Sequence, residues 1–239
     1  MPDQPTTVAL VHGAFADSSS WNAVIARLQK RDVPVVAVAN PLRGIAIDSA
    51  YAASVFEQIP GPVLAVAHSY GGAVISNAAG GASNVVGLVF VAAFATDEGE
   101  RLSDVTASSK DSILGSVLVP HQYPNGGATA TEFSIDPAKA REAFAADVAD
   151  DQAALIGVIQ RPVSELAFSE PSGPPAWKTL PSWAVVATAD KAAGTDVVRS
   201  MAERAGAATT EVDGSHVIMI SQPDVVMGVI DAALAKVGS

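Results

Sequence analysis

The stretch Val63-Leu64-Ala65-Val66-Ala67-His68-Ser69-Tyr70-Gly71-Gly72-Ala73-Val74-Ile75 constrains this chain more than any other. A run of small and branched apolar residues ends in a serine, two glycines follow at once, and a second apolar run begins. That order predicts a buried strand, a very tight turn and a helix, with Ser69 at the apex of the turn. Gly71 and Gly72 permit a close strand–helix approach that a side chain would block. Such a turn lifts the serine oxygen clear of the sheet and aims backbone N–H groups of the new helix at whatever it attacks. The pattern is close to the nucleophile elbow G-x-S-x-G, with Ala67 standing for the first glycine. Ser-Gly pairs are also ordinary turn chemistry, so the rest of the chain has to decide between the two.

Strands that are apolar throughout alternate with amphipathic helices on both sides of this stretch. Thr6 to Val11 is β-prone and stops at His12-Gly13, and Trp21, Val24, Ile25 and Leu28 make one helical stripe. Val33 to Ala39 reads as a second strand; Tyr51, Ala52, Val55, Phe56 and Ile59 form a second stripe, broken at Pro60-Gly61-Pro62. Val85 to Ala93 is a fourth strand, after the elbow strand and its helix. The alternation resumes with a strand at Trp183 to Thr188, a helix near Val197 to Ala205, a short strand at Thr209 to Val212 and a last helix from Pro223 to Val237. This is the signature of a parallel sheet covered on both faces. From about Ala95 to Pro181 it fails: Pro, Gly and Ser clusters flank helix-prone pieces at Pro137 to Val148 and Asp151 to Gln160. The expectation is an α/β core over residues 1–95 and 182–239, with residues 96–181 inserted as a helical cap.

Composition narrows the class of function. A hydrophobic content of 49% with 16% charged residues suits a packed globule, and 239 residues suffice for one domain with a sizeable core. A formal net charge of −11 repels nucleic acid and anionic membranes, so neither is expected as a partner. No apolar run is long enough to span a bilayer, and Met1-Pro2-Asp3-Gln4-Pro5 lacks the pattern of a leader, which points to a cytoplasmic protein. With no cysteine, thiolate nucleophiles, thiolate metal sites and disulfides are excluded.

A serine hydroxyl needs a base within hydrogen-bond reach, itself oriented by a carboxylate. Of the four histidines, His12 closes the first strand and reads as structural; His68 adjoins Ser69 on a strand and should point to the opposite face; His121 falls in the cap. His216, in Asp213-Gly214-Ser215-His216 between the last strand and the last helix, is left as the base, at a strand carboxyl end where such groups gather. Two aspartates follow strands between serine and histidine. Asp190 is favoured as the carboxylate because Ser69, Asp190 and His216 then run in the Ser…Asp…His order, and Asp97 is its competitor. Two N–H donors should face the tetrahedral oxyanion: that of Tyr70, and one from His12-Gly13-Ala14-Phe15, where Ala14 is favoured over Phe15.

Taken together, His12-Gly13-Ala14-Phe15, His68-Ser69-Tyr70-Gly71-Gly72, Thr188-Ala189-Asp190-Lys191 and Gly214-Ser215-His216 resemble the α/β-hydrolase superfamily. More narrowly they resemble its small branch of plant methylesterases, plant hydroxynitrile lyases and bacterial esterase-like proteins. The likeness covers essentially the whole chain and is weakest in the cap. It implies about six parallel strands, no metal or organic cofactor, and carboxylic-ester hydrolysis by a Ser69–His216–Asp190 triad with Ala14 and Tyr70 as oxyanion donors. Lyases of the branch carry a threonine and a lysine where this chain has Gly13 and Val217, which disfavours cyanohydrin cleavage. The chain also lacks, at Lys191-Ala192-Ala193-Gly194-Thr195, the isoleucine-proline pair usual after the acid. The expected partner is a small ester substrate. A ligand-binding protein that retains the triad, and lyase or perhydrolase chemistry on the same groups, are the alternatives. Phe168 and Trp177, as exposed cap residues, are candidates for a pocket or a homodimer contact.

Overall fold

A computed structural model describes residues 4–238; Met1 to Asp3 of the stretch read for a leader lie outside them. The core elements are β1 (Thr7–Val11), α1 (Asn22–Gln29), β2 (Val35–Val38), α2 (Ile45–Glu57), β3 (Val63–His68), α3 (Tyr70–Ala78) and β4 (Val85–Val91). The intervening segment carries α4 (Leu102–Ser108), β5 (Leu118–Asn125), β6 (Ala128–Ile135), α5 (Ala140–Phe144), α6 (Asp150–Val158), β7 (Val163–Ser164) and α7 (Leu166–Ser169). The core then resumes with β8 (Ser182–Ala187), α8 (Thr195–Arg204), β9 (Ala208–Val212), α9 (Ile218–Ser221) and α10 (Pro223–Val237).

Six core strands pair in the order β2-β1-β3-β4-β8-β9, every pair parallel. The reason is visible along β1 and β3. Val8 to Val11 and Val63 to Ala67 are wholly buried, so neither face of those strands meets water, as a sheet with helices on both sides requires. On α1 the residues that go inside are Val24 and Leu28, with Trp21 just before it, the same stripe that the helical spacing marks. Each such side chain contributes about 1.5–3 kcal/mol on burial.

The order in the sheet puts β3 near its middle, between β1 and β4, and the strands' carboxyl ends along one rim. At that rim the chain turns sharply. The backbone of Ser69 takes φ 53° and ψ −125°, a left-handed setting that non-glycine residues seldom adopt. The two glycines after it are there for space. A Cβ on Gly71 would lie 2.8 Å from the Val11 carbonyl oxygen, and one on Gly72 would lie 2.7 Å from that of Phe94.

The inserted segment holds the expected helical pieces, α5 and α6, and adds to them a three-stranded antiparallel sheet, β5-β6-β7. Its hairpin turns on Gly126 and Gly127, both at positive φ (57° and 89°), the setting that a two-residue hairpin loop needs. Pro120 and Pro124 look hostile to a strand, yet β5 pairs with β6 alone and lies at the edge of this sheet, where a missing N–H costs little. Phe168 and Trp177 are not the exposed residues expected from sequence. Trp177 is buried and donates its indole N–H to the Thr96 carbonyl at 3.0 Å, while Phe168 is half-buried among other rings. Large apolar side chains that are exposed in this segment include Leu155, Val158 and Ile159 at the end of α6. Among the described residues, no helix is long and apolar enough to cross a membrane.

Candidate active site

Four loops at the sheet rim bring the sequence candidates to one place. Ser69, His216, Ala14 and Tyr70 all line one small cavity beneath the inserted segment, together with Phe15, Phe144 and Phe168. Its volume is ≈ 10 Å³, room for about one water molecule.

His216 follows β9 and is buried, as is Asp190 after β8. The imidazole Nδ1 lies 2.8 Å from Asp190 Oδ2, with both side chains 1% exposed. The other carboxylate oxygen, Oδ1, accepts the backbone N–H groups of Ala192 (2.9 Å) and Ala193 (3.0 Å). Both N–H groups belong to Lys191-Ala192-Ala193-Gly194-Thr195, the segment that lacks the isoleucine-proline pair. Thr195 completes the turn: its Oγ1 accepts from the Asp190 N–H (3.1 Å) and donates to the Ala187 carbonyl (2.8 Å). Asp97, the competitor, is elsewhere. It is ion-paired with Lys178 and accepts the Glu98 N–H at 2.7 Å, and the lysine holds its carboxyl below the usual carboxylate range.

As the first residue of α3, Tyr70 has no intrahelical partner for its N–H, and the residue lines the cavity. Its ring points the other way. The phenol donates to Asp48 Oδ2 at 2.7 Å, and Asp48 also accepts the Arg43 N–H at 3.0 Å. Burial, and then the adjacent Asp48 charge, push the Tyr70 phenol well above its ordinary value, so it stays a donor. The residue carrying one candidate oxyanion donor is thereby anchored from behind, a contact that spacing in the sequence does not reveal. Phe15, beside Ala14, sits at φ 61°.

The remaining histidines divide by burial. His121 is exposed on β5, 2.8 Å from the Ser134 hydroxyl, away from the cavity. His12 is buried and its Nδ1 lies 2.9 Å from the Gly13 carbonyl, in line with a structural role. His68 is closer to the chemistry than strand alternation suggests. Its ring packs 4.5 Å from that of His216, and its Nε2 donates to the His216 carbonyl oxygen at 3.0 Å. Alternation describes an extended strand, and it ends where Ser69 turns into the elbow. His68 therefore supports the main chain of His216 without reaching the serine by any hydrogen bond of its own. A further support comes from the inserted segment, where Asp147 accepts the hydroxyl of Ser215, next to His216.

Both His12 and His68 are kept neutral in the folded chain. Burial lowers the pKa of His12 to about 4, and burial with the neighbouring His216 holds His68 well below the ordinary histidine value. Unfolded, each would protonate near 6.5. Stability is then fully present above pH 6.5 and is lost as the pH falls toward the folded values, by about 3 kcal/mol from His12 alone by pH 4. Urea titrations at pH 7 and pH 4 should show at least that loss, and a His12→Gln variant should lose about 3 kcal/mol less across the same interval.

Polyneuridine aldehyde esterase superposes with a TM-score of 0.79 at 20% identity, covering 96% of this chain and 100% of that one. A pyrethroid hydrolase from Sphingobium faniae JZ-2 gives 0.78 at 19% identity, covering 97% and 98%. A methylesterase from Arabidopsis gives 0.79 at 16% identity, covering 96% and 99%. At such identities the likeness is one of fold. No curated protein matches the chain by sequence. The family described as alpha/beta hydrolase, however, matches residues 8–229, from the first core strand into the last helix. The chain therefore belongs to the alpha/beta hydrolase family.

Proposed function

We propose that the chain is a serine hydrolase that cleaves small, fairly hydrophobic carboxylic esters through an acyl-enzyme. Ser69 is the nucleophile, His216 the general base and acid, and Asp190 the carboxylate that orients the imidazole. The observation that carries this reading is the buried His216–Asp190 hydrogen bond, its imidazole sharing a one-water cavity with a serine held at φ 53°. Nδ1 faces the carboxylate, which leaves Nε2 as the ring nitrogen available to the hydroxyl.

The steps follow from that placement. Ser69 Oγ attacks the ester carbonyl as its proton passes to His216 Nε2, and Asp190 stabilises the imidazolium. The oxyanion that forms is met by the N–H groups of Ala14 and Tyr70, each such donor contributing on the order of 3 kcal/mol to lowering the barrier. Collapse expels the alkoxide, which takes the proton from Nε2 and leaves as the alcohol. Water then enters, loses a proton to His216, attacks the acyl-serine, and releases the carboxylic acid with Ser69 restored. The reaction draws on no cofactor.

Solved proteins of this fold that are named as an esterase and a methylesterase support the ester reading over others. Cyanohydrin cleavage is disfavoured by Gly13, since a Cβ there would lie 2.7 Å from Ser69 Cβ and 2.9 Å from the His68 carbonyl oxygen, so a threonine would need the elbow to shift. The test is turnover of p-nitrophenyl acetate and butyrate by the purified chain, where steady release of p-nitrophenolate above a protein-free control is expected. Tight binding of an ester analogue with no hydrolysis of any ester would instead identify a binding protein built on the same groups.

A further inference from the structure

An ester carries two arms, and a cavity of ≈ 10 Å³ holds neither. Two larger chambers abut it. The first, ≈ 290 Å³, shares Phe15 and Phe144 with the cavity and continues over Val217, Met219, Leu155 and Ile156. The second, ≈ 660 Å³, shares Leu114 and Phe168 with it and continues over Phe133, Ile113 and Leu118. The partition is a chain of aromatic contacts: Phe133 to Phe168 at 6.2 Å, Phe168 to Phe15 at 6.3 Å, Phe15 to Phe144 at 6.3 Å, and Phe144 to the His216 ring at 4.9 Å.

The chemistry assigns an arm to each side. The leaving oxygen has to take its proton from His216, so the alcohol lies next to the imidazole. The first chamber is on that side, because Phe144 packs on the His216 ring and Val217 is the next residue in the chain. The acyl arm, on the opposite side of the carbonyl carbon, is left with the second. Among the described residues neither chamber is lined by lysine or arginine, whereas Asp17 and Glu165 line one each, so a charged carboxylate on either arm meets hydroxyl and amide groups but no cation and a like charge.

Resting on the ester reading above, we propose that the substrates are neutral esters of an apolar acid and an apolar alcohol, bound with the alcohol arm past Phe144 and the bulkier acyl arm past Phe168. Two filling substitutions separate the arms without emptying the core. Leu155 is 55% exposed at the first chamber, and a Cβ on Gly115, at the second, would meet nothing within 4 Å, so a larger residue fits at each. Leu155→Trp should lower the kcat/KM ratio of hexyl acetate to methyl acetate by roughly 10-fold or more, while the ratio of p-nitrophenyl hexanoate to acetate stays within about 2-fold. Gly115→Phe should do the reverse, by roughly the same factor. Ratios that stay flat in both variants, or that exchange arms, would overturn this assignment while ester hydrolysis by the wild type stands. Failure of the wild type to hydrolyse any of these esters would overturn both readings together.

Discussion

Ser69→Ala should lower kcat/KM for p-nitrophenyl acetate by about 10⁴- to 10⁶-fold, down to whatever the oxyanion donors and binding supply without a nucleophile. No other aliphatic hydroxyl stands at the cavity: among the described residues that line it, Ser69 is the one serine, and threonine is absent. The same substitution should leave the fold in place, because alanine is smaller than serine and the positive φ costs a Cβ either way. Circular dichroism and the thermal midpoint would check that, so lost turnover can be read as lost chemistry. Turnover undiminished in the variant would remove the serine mechanism altogether.

The second large effect separates two aspartates that the sequence leaves in competition. Asp190→Asn should lower kcat by about 10⁴-fold, because an amide in that place favours the wrong imidazole tautomer and no longer balances the imidazolium. Asp97→Asn should leave kcat within about 2-fold, since Asp97 pairs with Lys178 at a partly exposed site outside the cavity and a surface ion pair is worth little. Steady-state kinetics on the two variants, side by side, decide between them. Equal losses, or the larger loss at Asp97, would mean that the acid has been assigned to the wrong strand end.

The core was legible in the sequence because its physics is local. A fully apolar run bounded by turn residues has few fates other than a buried strand, and the elements from β1 to β4, with β8, α8, β9 and α10, match the hydrophobic patterns read in the sequence, whereas the short α9 after His216 had no such pattern. The elbow was legible because Gly71 and Gly72 answer to contacts that any such turn must make. The inserted sheet was harder to see. Pro120 and Pro124 hid β5, and only its edge position, a tertiary fact, makes them harmless; Asn125-Gly126-Gly127 was the available signal for the hairpin. Support for the site from behind could not be read at all. The Tyr70–Asp48 bond spans 22 residues, the His68–His216 bond 148, and the Asp147–Ser215 bond 68, and no local pattern encodes partners so far apart.

The proposed activation of Ser69 by His216, with acylation during turnover, is tested most directly by a fluorophosphonate. Such a reagent forms a covalent phosphonyl ester only with a serine whose proton is removed as it attacks. Intact-mass measurement followed by peptide mapping should find one adduct per chain, on the peptide containing Ser69. The adduct should be absent in Ser69→Ala and much slower to form in Asp190→Asn. An adduct on another residue, or ester turnover that continues in a chain that takes up no label, would contradict it.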